Sequence, residues 1–85
     1  MDMKAQFEAA VAASKTLSSR PSNDILLQLY SLYKQATDGD APEEGPTGMF
    51  DIVGKAKHNA WAGQKGKSSE TAMQEYIDVY NQLKG

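Results

Sequence analysis

The sequence predicts an all-α protein of four helices, with a long loop between the second and third. Three observations predict it. Apolar residues recur at about 100° per residue in four separate segments, as on the buried side of an amphipathic helix. Serine, aspartate, proline and glycine fall between those segments, where helices start and stop. No segment alternates apolar and polar residues with the period of a strand.

Helix one is expected from Asp2, a capping residue, to about Leu17, with Met3, Phe7, Ala10, Val11, Ser14 and Leu17 in helical register. Ser18-Ser19-Arg20-Pro21 breaks it. Ser22 is placed to cap helix two, over about Asn23 to Thr37, with Asp24 complementing the dipole in the first turn. Asp38 to Gly48 carries Gly39, Pro42, Gly45, Pro46 and Gly48 among acids, so a long loop is expected there. In a bundle, a connection of that length allows two neighbouring helices to run parallel. Helix three should run from near Asp51 to Gly63, with Val53, Ala56, Ala60 and Trp61 inward. Ser68 should then cap helix four, whose inner side would carry Ala72, Met73, Tyr76, Val79, Tyr80 and Leu83.

Composition excludes several classes of function. With 85 residues, one domain spanning 1–85 is expected, and a chain of this size buries only about 60 to 65% of its unfolded surface. There is no cysteine and one histidine, which removes disulfides, thiolate metal sites and cysteine nucleophiles; no metal site and no catalytic residue is expected. The net charge of −2 argues against nucleic-acid binding. Met1-Asp2-Met3-Lys4 lacks the basic-then-apolar pattern of a leader, and no apolar run reaches the roughly 20 residues of a membrane span. A cytoplasmic location without membrane insertion is therefore expected. Charge is unevenly spread: Asp38, Asp40, Glu43, Glu44 and Asp51 cluster, and Lys55, Lys57, Lys65 and Lys67 follow with no acid among them. A local basic patch holds a small anion even on an acidic molecule.

Helix two carries the most informative pattern. Ile25, Leu29, Leu32 and Ala36 form an ordinary core stripe, but Leu26, Leu27, Tyr30, Lys34 and Thr37 form a second, with Tyr33 on the boundary. A surface helix needs only the first. The second asks for a partner that is apolar at one end and anionic at the other. Lys57 falls between Val53 and Trp61 on the inward side of helix three, whereas Lys55 projects nearly opposite, so Lys57 and Lys34 with Tyr30 suggest a shared anion such as a phosphate. A lysine at such a position also snorkels over its own stem, and a tyrosine is more often a core residue than a ligand contact. Tyrosine can nonetheless stack a nucleobase for about 1 to 3 kcal/mol. Lys15, at the edge of helix one's apolar face, reads as solvated.

Other motifs fail. Gly48 to Lys55 has one residue too many between its glycines for a phosphate loop, and Ala56 follows where serine or threonine is required. The loop acids lack the spacing of a calcium site, and no serine lies in a nucleophile elbow.

The sequence resembles the acyl-CoA-binding protein family over nearly its whole length. Phe7 with Ala9-Ala10, the block Leu29-Tyr30-Ser31-Leu32-Tyr33-Lys34-Gln35-Ala36-Thr37, Gly39-Asp40, Gly54-Lys55-Ala56-Lys57, Ala60-Trp61, Lys65-Gly66, and Ala72-Met73 with Tyr76-Ile77 fall in family order. The resemblance implies an up-down-down-up bundle that binds medium- and long-chain fatty acyl-CoA esters with high affinity, as an intracellular carrier and pool former that does no chemistry on them. It implies ligand contacts at Lys15, Tyr30, Ser31, Leu32, Tyr33, Lys34, Lys57 and Tyr76. Within that set Lys34, Lys57 and the Tyr30 hydroxyl would hold the ribose 3′-phosphate, Tyr33 would lie against the adenine, and Leu26 and Leu27 would meet the acyl chain. Acyl-CoA is then the ligand, with no separate cofactor. A monomer is expected, in passing contact with enzymes that use acyl-CoA. Two departures stand out: His58-Asn59 replaces the family's usual Trp-Asp, and Pro46-Thr47-Gly48 replaces the usual Pro-Gly. On the residues alone, a helical protein-interaction module remains the rival reading; an acyl-CoA-converting enzyme lacks a base or nucleophile.

Overall fold

The structure, a computed structural model, describes residues 2–17, 19–43 and 51–84. Its elements are α1 (Met3–Ser14), α2 (Asn23–Asp38), α3 (Ile52–Ala62) and α4 (Ser69–Lys84), with no strand among the described residues. Each start is capped, three of them by the predicted residues Asp2, Ser22 and Ser68, and α3 by Asp51, near which the sequence places its start. Asp2 Oδ1 accepts from Ala5 N at 2.7 Å, Ser22 Oγ from Ile25 N at 3.3 Å, Asp51 Oδ1 from Gly54 N at 2.9 Å, and Ser68 Oγ from Thr71 N at 3.1 Å.

The ends differ from expectation by a few residues. Helix α1 stops at Ser14 rather than Leu17, because side-chain hydroxyls take over its carbonyls: Ser14 Oγ donates to Val11 O at 2.8 Å and Thr16 Oγ1 to Ala13 O at 2.9 Å. The amides of Lys15 and Thr16 close three-residue rings, tightening the last turn. Helix α2 takes in Asp38 and ends at Gly39, whose φ of 82° and ψ of −152° lie in a region essentially reserved for glycine. The expected loop over Asp38 to Gly48 is described as far as Glu43; residues 44–50 lie outside the described residues.

The topology follows from residue pairs. Helix α2 packs on α3 and α4, and α1 packs on α4. Ala36 O near the end of α2 accepts from Ser69 Oγ at the start of α4 (2.6 Å), so α2 and α4 are antiparallel. Tyr30 meets Lys57 and Lys34 meets Trp61, so α2 and α3 run parallel. Lys4 and Phe7 share a depression with Ser69 and Met73, and Ser14 bonds Tyr76, which makes α1 parallel to α4. The order is up-down-down-up.

The buried core is Phe7, Ala10, Leu29, Leu32, Ala36, Ala72, Tyr76 and Ile77. Leu32, at 1% exposure, contributes roughly 2 to 3 kcal/mol by burial. The Phe7 ring meets Tyr76 edge-on, with centroids 5.2 Å apart at 79°, and stacks on Tyr33 at 6.1 Å. Because α1 and α2 do not pack directly, that stack bridges a cleft between them. One expectation is corrected here. Val53 does not face inward: it is 65% exposed and Ile52 is 76% exposed. Among the described helices α3 packs on α2 alone, and it buries no residue fully; Ala56, Ala60 and Trp61 are half-buried as expected. No described helix is long and apolar enough to cross a membrane.

Candidate functional site

The seam between α2 and α3 alternates aromatic rings and ammonium groups. Lys57 Nζ lies 5.3 Å from the Tyr30 ring centroid, and Lys34 Nζ lies 4.9 Å from that of Trp61. Tyr30 and Lys34 are one turn apart on α2, as are Lys57 and Trp61 on α3. Two parallel helices in register therefore place the ring of one opposite the cation of the other, twice. Each such contact is worth about 0.5 to 1 kcal/mol at an exposed site. The register is held at one end by the indole, whose Nε1 donates to Gly39 O at 2.7 Å and so ties α3 to the end of α2.

Two grooves flank this seam and share Leu26 and Tyr30. One, about 570 Å³, runs between α2 and α3. Leu26, Leu27, Ile52, Val53 and Ala56 form its apolar length, Tyr30 and Lys57 close one end, and Arg20 and Asn23 close the other. The second, about 380 Å³, lies in the cleft between α1 and α2 and is lined by Lys15, Leu29, Tyr30, Tyr33 and Tyr76 among others. A further depression, at the other end of that cleft, shares Tyr33 and is lined also by Lys4, Glu8 and Met73.

Most of the expected site residues thus gather on one side of α2: Lys15, Tyr33 and Tyr76 in the cleft, Leu27 and Lys57 in the α2–α3 groove, Leu26 and Tyr30 on the ridge between them. Tyr33, at 39% exposure, is packed on Phe7 yet open to the cleft. Tyr76 is 4% exposed and its OH lies 3.0 Å from Ser14 Oγ; burial pushes its phenol pKa above the usual value, against the smaller, opposite effect of that hydrogen bond. Ser31 and Leu32 are not in either groove. Both are 1% exposed, Leu32 in the core and Ser31 bonded to Gln28 O and to Gln64 Nε2. They share a turn with Tyr30 and Lys34 in sequence, but the helix turns Leu32 to the opposite side and Ser31 sideways, toward Gln64. Lys34 pairs with Asp38, four residues on, and that hydrogen-bonded carboxylate raises the lysine pKa, with desolvation a smaller opposing effect.

Several residues that position the site carry little sequence signal. Gln35 is buried at the end of α2 and donates through Nε2 to Asp40 Oδ1 (2.8 Å) and to Lys67 O (3.0 Å), while Gly66 N donates to the same Asp40 oxygen at 3.0 Å. This clamp fixes the turn between α3 and α4 against α2, and Lys67 Nζ pairs with Glu75 at 2.8 Å on its far side. Both carboxamide partners of Nε2 are acceptors, which settles the orientation of the Gln35 amide. Arg20, Ile52 and Ala56 enter the groove only because α2 and α3 are parallel, which no local pattern states. Among the described residues no three histidine or carboxylate side chains converge as a metal site would require.

An all-α bundle with a cation-and-aromatic seam beside an apolar groove defines the class of small helical ligand-binding domains. The chain belongs to the acyl-CoA-binding protein family: the family model described as "Acyl CoA binding protein" matches residues 4–80. The Acyl-CoA-binding protein homolog of Drosophila melanogaster is 57% identical over 72 residues, covering 85% of this chain and 83% of the fly protein. The Acyl-CoA-binding protein of Saccharomyces cerevisiae is 48% identical over 77 residues, covering 91% and 87%. The crystal structure of Oryza sativa Acyl-CoA-Binding Protein 2 superposes with a TM-score of 0.88 at 41% identity, over 95% of this chain and 87% of the rice protein.

Proposed function

We propose that this protein carries medium- and long-chain fatty acyl-CoA esters in the cytoplasm as a monomer, clamping the nucleotide head and sheltering the acyl chain without converting either. The observation that carries the reading is the α2–α3 seam, where Tyr30 and Lys57 line an apolar groove and Lys34 follows one turn along α2, against Trp61. Lys34, Lys57 and the Tyr30 hydroxyl hold the ribose 3′-phosphate; two ammonium groups suit a phosphate, since each offers charge-assisted hydrogen bonds with little directional demand. Tyr33 takes the adenine in the cleft beside Lys15, and Leu26 and Leu27 take the chain.

The two halves of the ligand do different work. Burying some 15 methylenes is worth at most about 12 kcal/mol at roughly 0.8 each, before the entropy of association is subtracted. The lysines add selectivity, because a free fatty acid has no phosphate to meet them.

The test is a calorimetric titration with palmitoyl-CoA, CoA and palmitate, with recovery of the ligand afterwards. Palmitoyl-CoA should bind far more tightly than either fragment and return unchanged. Lys57→Ala should weaken binding by one to two orders of magnitude, as expected for losing hydrogen bonds to a charged group at about 1.5 to 3 kcal/mol. Lys55→Ala, on the exposed side of α3, should bind as the parent does. Equal losses in the two variants would contradict the assigned faces, and consumption of the thioester would replace the carrier by an enzyme.

A further inference from the structure

Lys34 lines neither groove. Its ammonium lies between the Asp38 carboxylate and the Trp61 ring, whereas Lys57 already lies on Tyr30 at the groove's end. Asp38 is a poor choice if its purpose were to stabilise α2. It is the last residue of the helix, at the negative pole, with no basic residue in the final turn. A lysine preceding its acid by four residues is the weaker of the two orders. The side chains are 26% and 48% exposed, so water and salt screen the pair. Its main effect is to give Lys34 an anion before any ligand arrives.

We propose that Asp38 is an internal competitor for Lys34, which the ligand's 3′-phosphate must displace, so that this carboxylate sets both the affinity and the preference for 3′-phosphorylated ligands. The inference rests on the phosphate-clamp reading given above. On binding, the Lys34 ammonium leaves Asp38 and swings on its flexible stem toward Tyr30 and Lys57; no covalent bond changes. Asp38 is then left unpaired four residues, about 6 Å of helix, from Lys34, adding like-charge repulsion to the cost of exchange. A ligand without the 3′-phosphate leaves the pair intact and meets neither effect.

The experiment titrates palmitoyl-CoA and its 3′-dephospho analogue into the parent, Asp38→Asn, Asp38→Ala, Lys34→Ala and the Lys34→Ala/Asp38→Asn double variant, at low and at physiological salt. Both Asp38 variants should bind palmitoyl-CoA about two- to fivefold more tightly than the parent, the range of an exposed ion pair, and the gain should shrink as salt rises. Binding of the dephospho ester should be unchanged, thermal stability should not fall, and the double variant should match Lys34→Ala. If Asp38→Asn binds palmitoyl-CoA equally or more weakly while Lys34→Ala still loses its preference for the 3′-phosphate, the clamp stands and the competition is wrong. If Lys34→Ala keeps that preference in full, the clamp reading fails and the role of Asp38 fails with it.

Discussion

Replacing Trp61 by phenylalanine removes one polar atom from the joint that keeps α3 in register with α2. The indole Nε1 donates to Gly39 O at 2.7 Å, and its loss takes away a hydrogen bond worth about 0.5 to 1.5 kcal/mol net. The smaller ring also gives up part of a half-buried packing surface, and a phenyl face attracts the Lys34 ammonium less than an indole does, by a few tenths of a kcal/mol. Together these come to about 1 to 2 kcal/mol. For a chain of this length that is a fall in Tm of roughly 4 to 16 °C. Because Trp61 is the sole tryptophan, far-UV circular dichroism should follow unfolding in both proteins rather than fluorescence. An unchanged midpoint in heat and urea would refute the reasoning: the α2–α3 joint would then not depend on the indole.

Two further perturbations test how the end of α2 is built. Gly39→Ala should destabilise by about 1 to 3 kcal/mol in urea unfolding; a Cβ there meets nothing within 4 Å, so the cost is backbone strain alone. A neutral result would mean that the turn relaxes freely. Asp40 should shape the acid limb of stability. Donation from Gly66 N, then from Gln35 Nε2, holds its carboxyl below the usual range. A depressed folded pKa contributes stability fully present above the unfolded value of about 3.9 and lost as pH falls through the folded one. Asp40→Asn keeps an acceptor oxygen but no charge, so its urea midpoint should fall less steeply below about pH 4 than the parent's. Parallel curves would contradict this.

The sequence states some parts of this structure and is silent on others, for a physical reason. Caps and stripes are local, so Asp2, Ser22, Ser68 and the Leu29, Leu32, Ala36 face are legible within a single helix. The second stripe of α2 is legible too, because an apolar and cationic face needs a partner wherever the helix lies. What depends on two elements meeting is not. Gln35 reads as an ordinary polar helix residue until the turn after α3 brings Lys67 O and Asp40 to its amide. Val53 matches an inward register on α3, yet among the described helices α3 packs on α2 alone, and that one packing leaves Val53 exposed. Ser31 and Leu32 share the block that carries the family resemblance, which follows sequence order; the helix sorts the same block into a groove face and a core face. Asp38 reads as one of a run of loop acids, and only its place as the last residue of α2 sets it against Lys34.

The central claim is that two lysines from parallel helices meet one phosphate while leucines of the same seam shelter the chain. A crystal structure of the palmitoyl-CoA complex tests it most directly. The account predicts the ribose 3′-phosphate within hydrogen-bonding distance, about 3 Å, of Lys34 Nζ, Lys57 Nζ and the Tyr30 hydroxyl, with the acyl chain over Leu26 and Leu27. A phosphate bound away from both lysines, or a chain lying outside the α2–α3 groove, would contradict it.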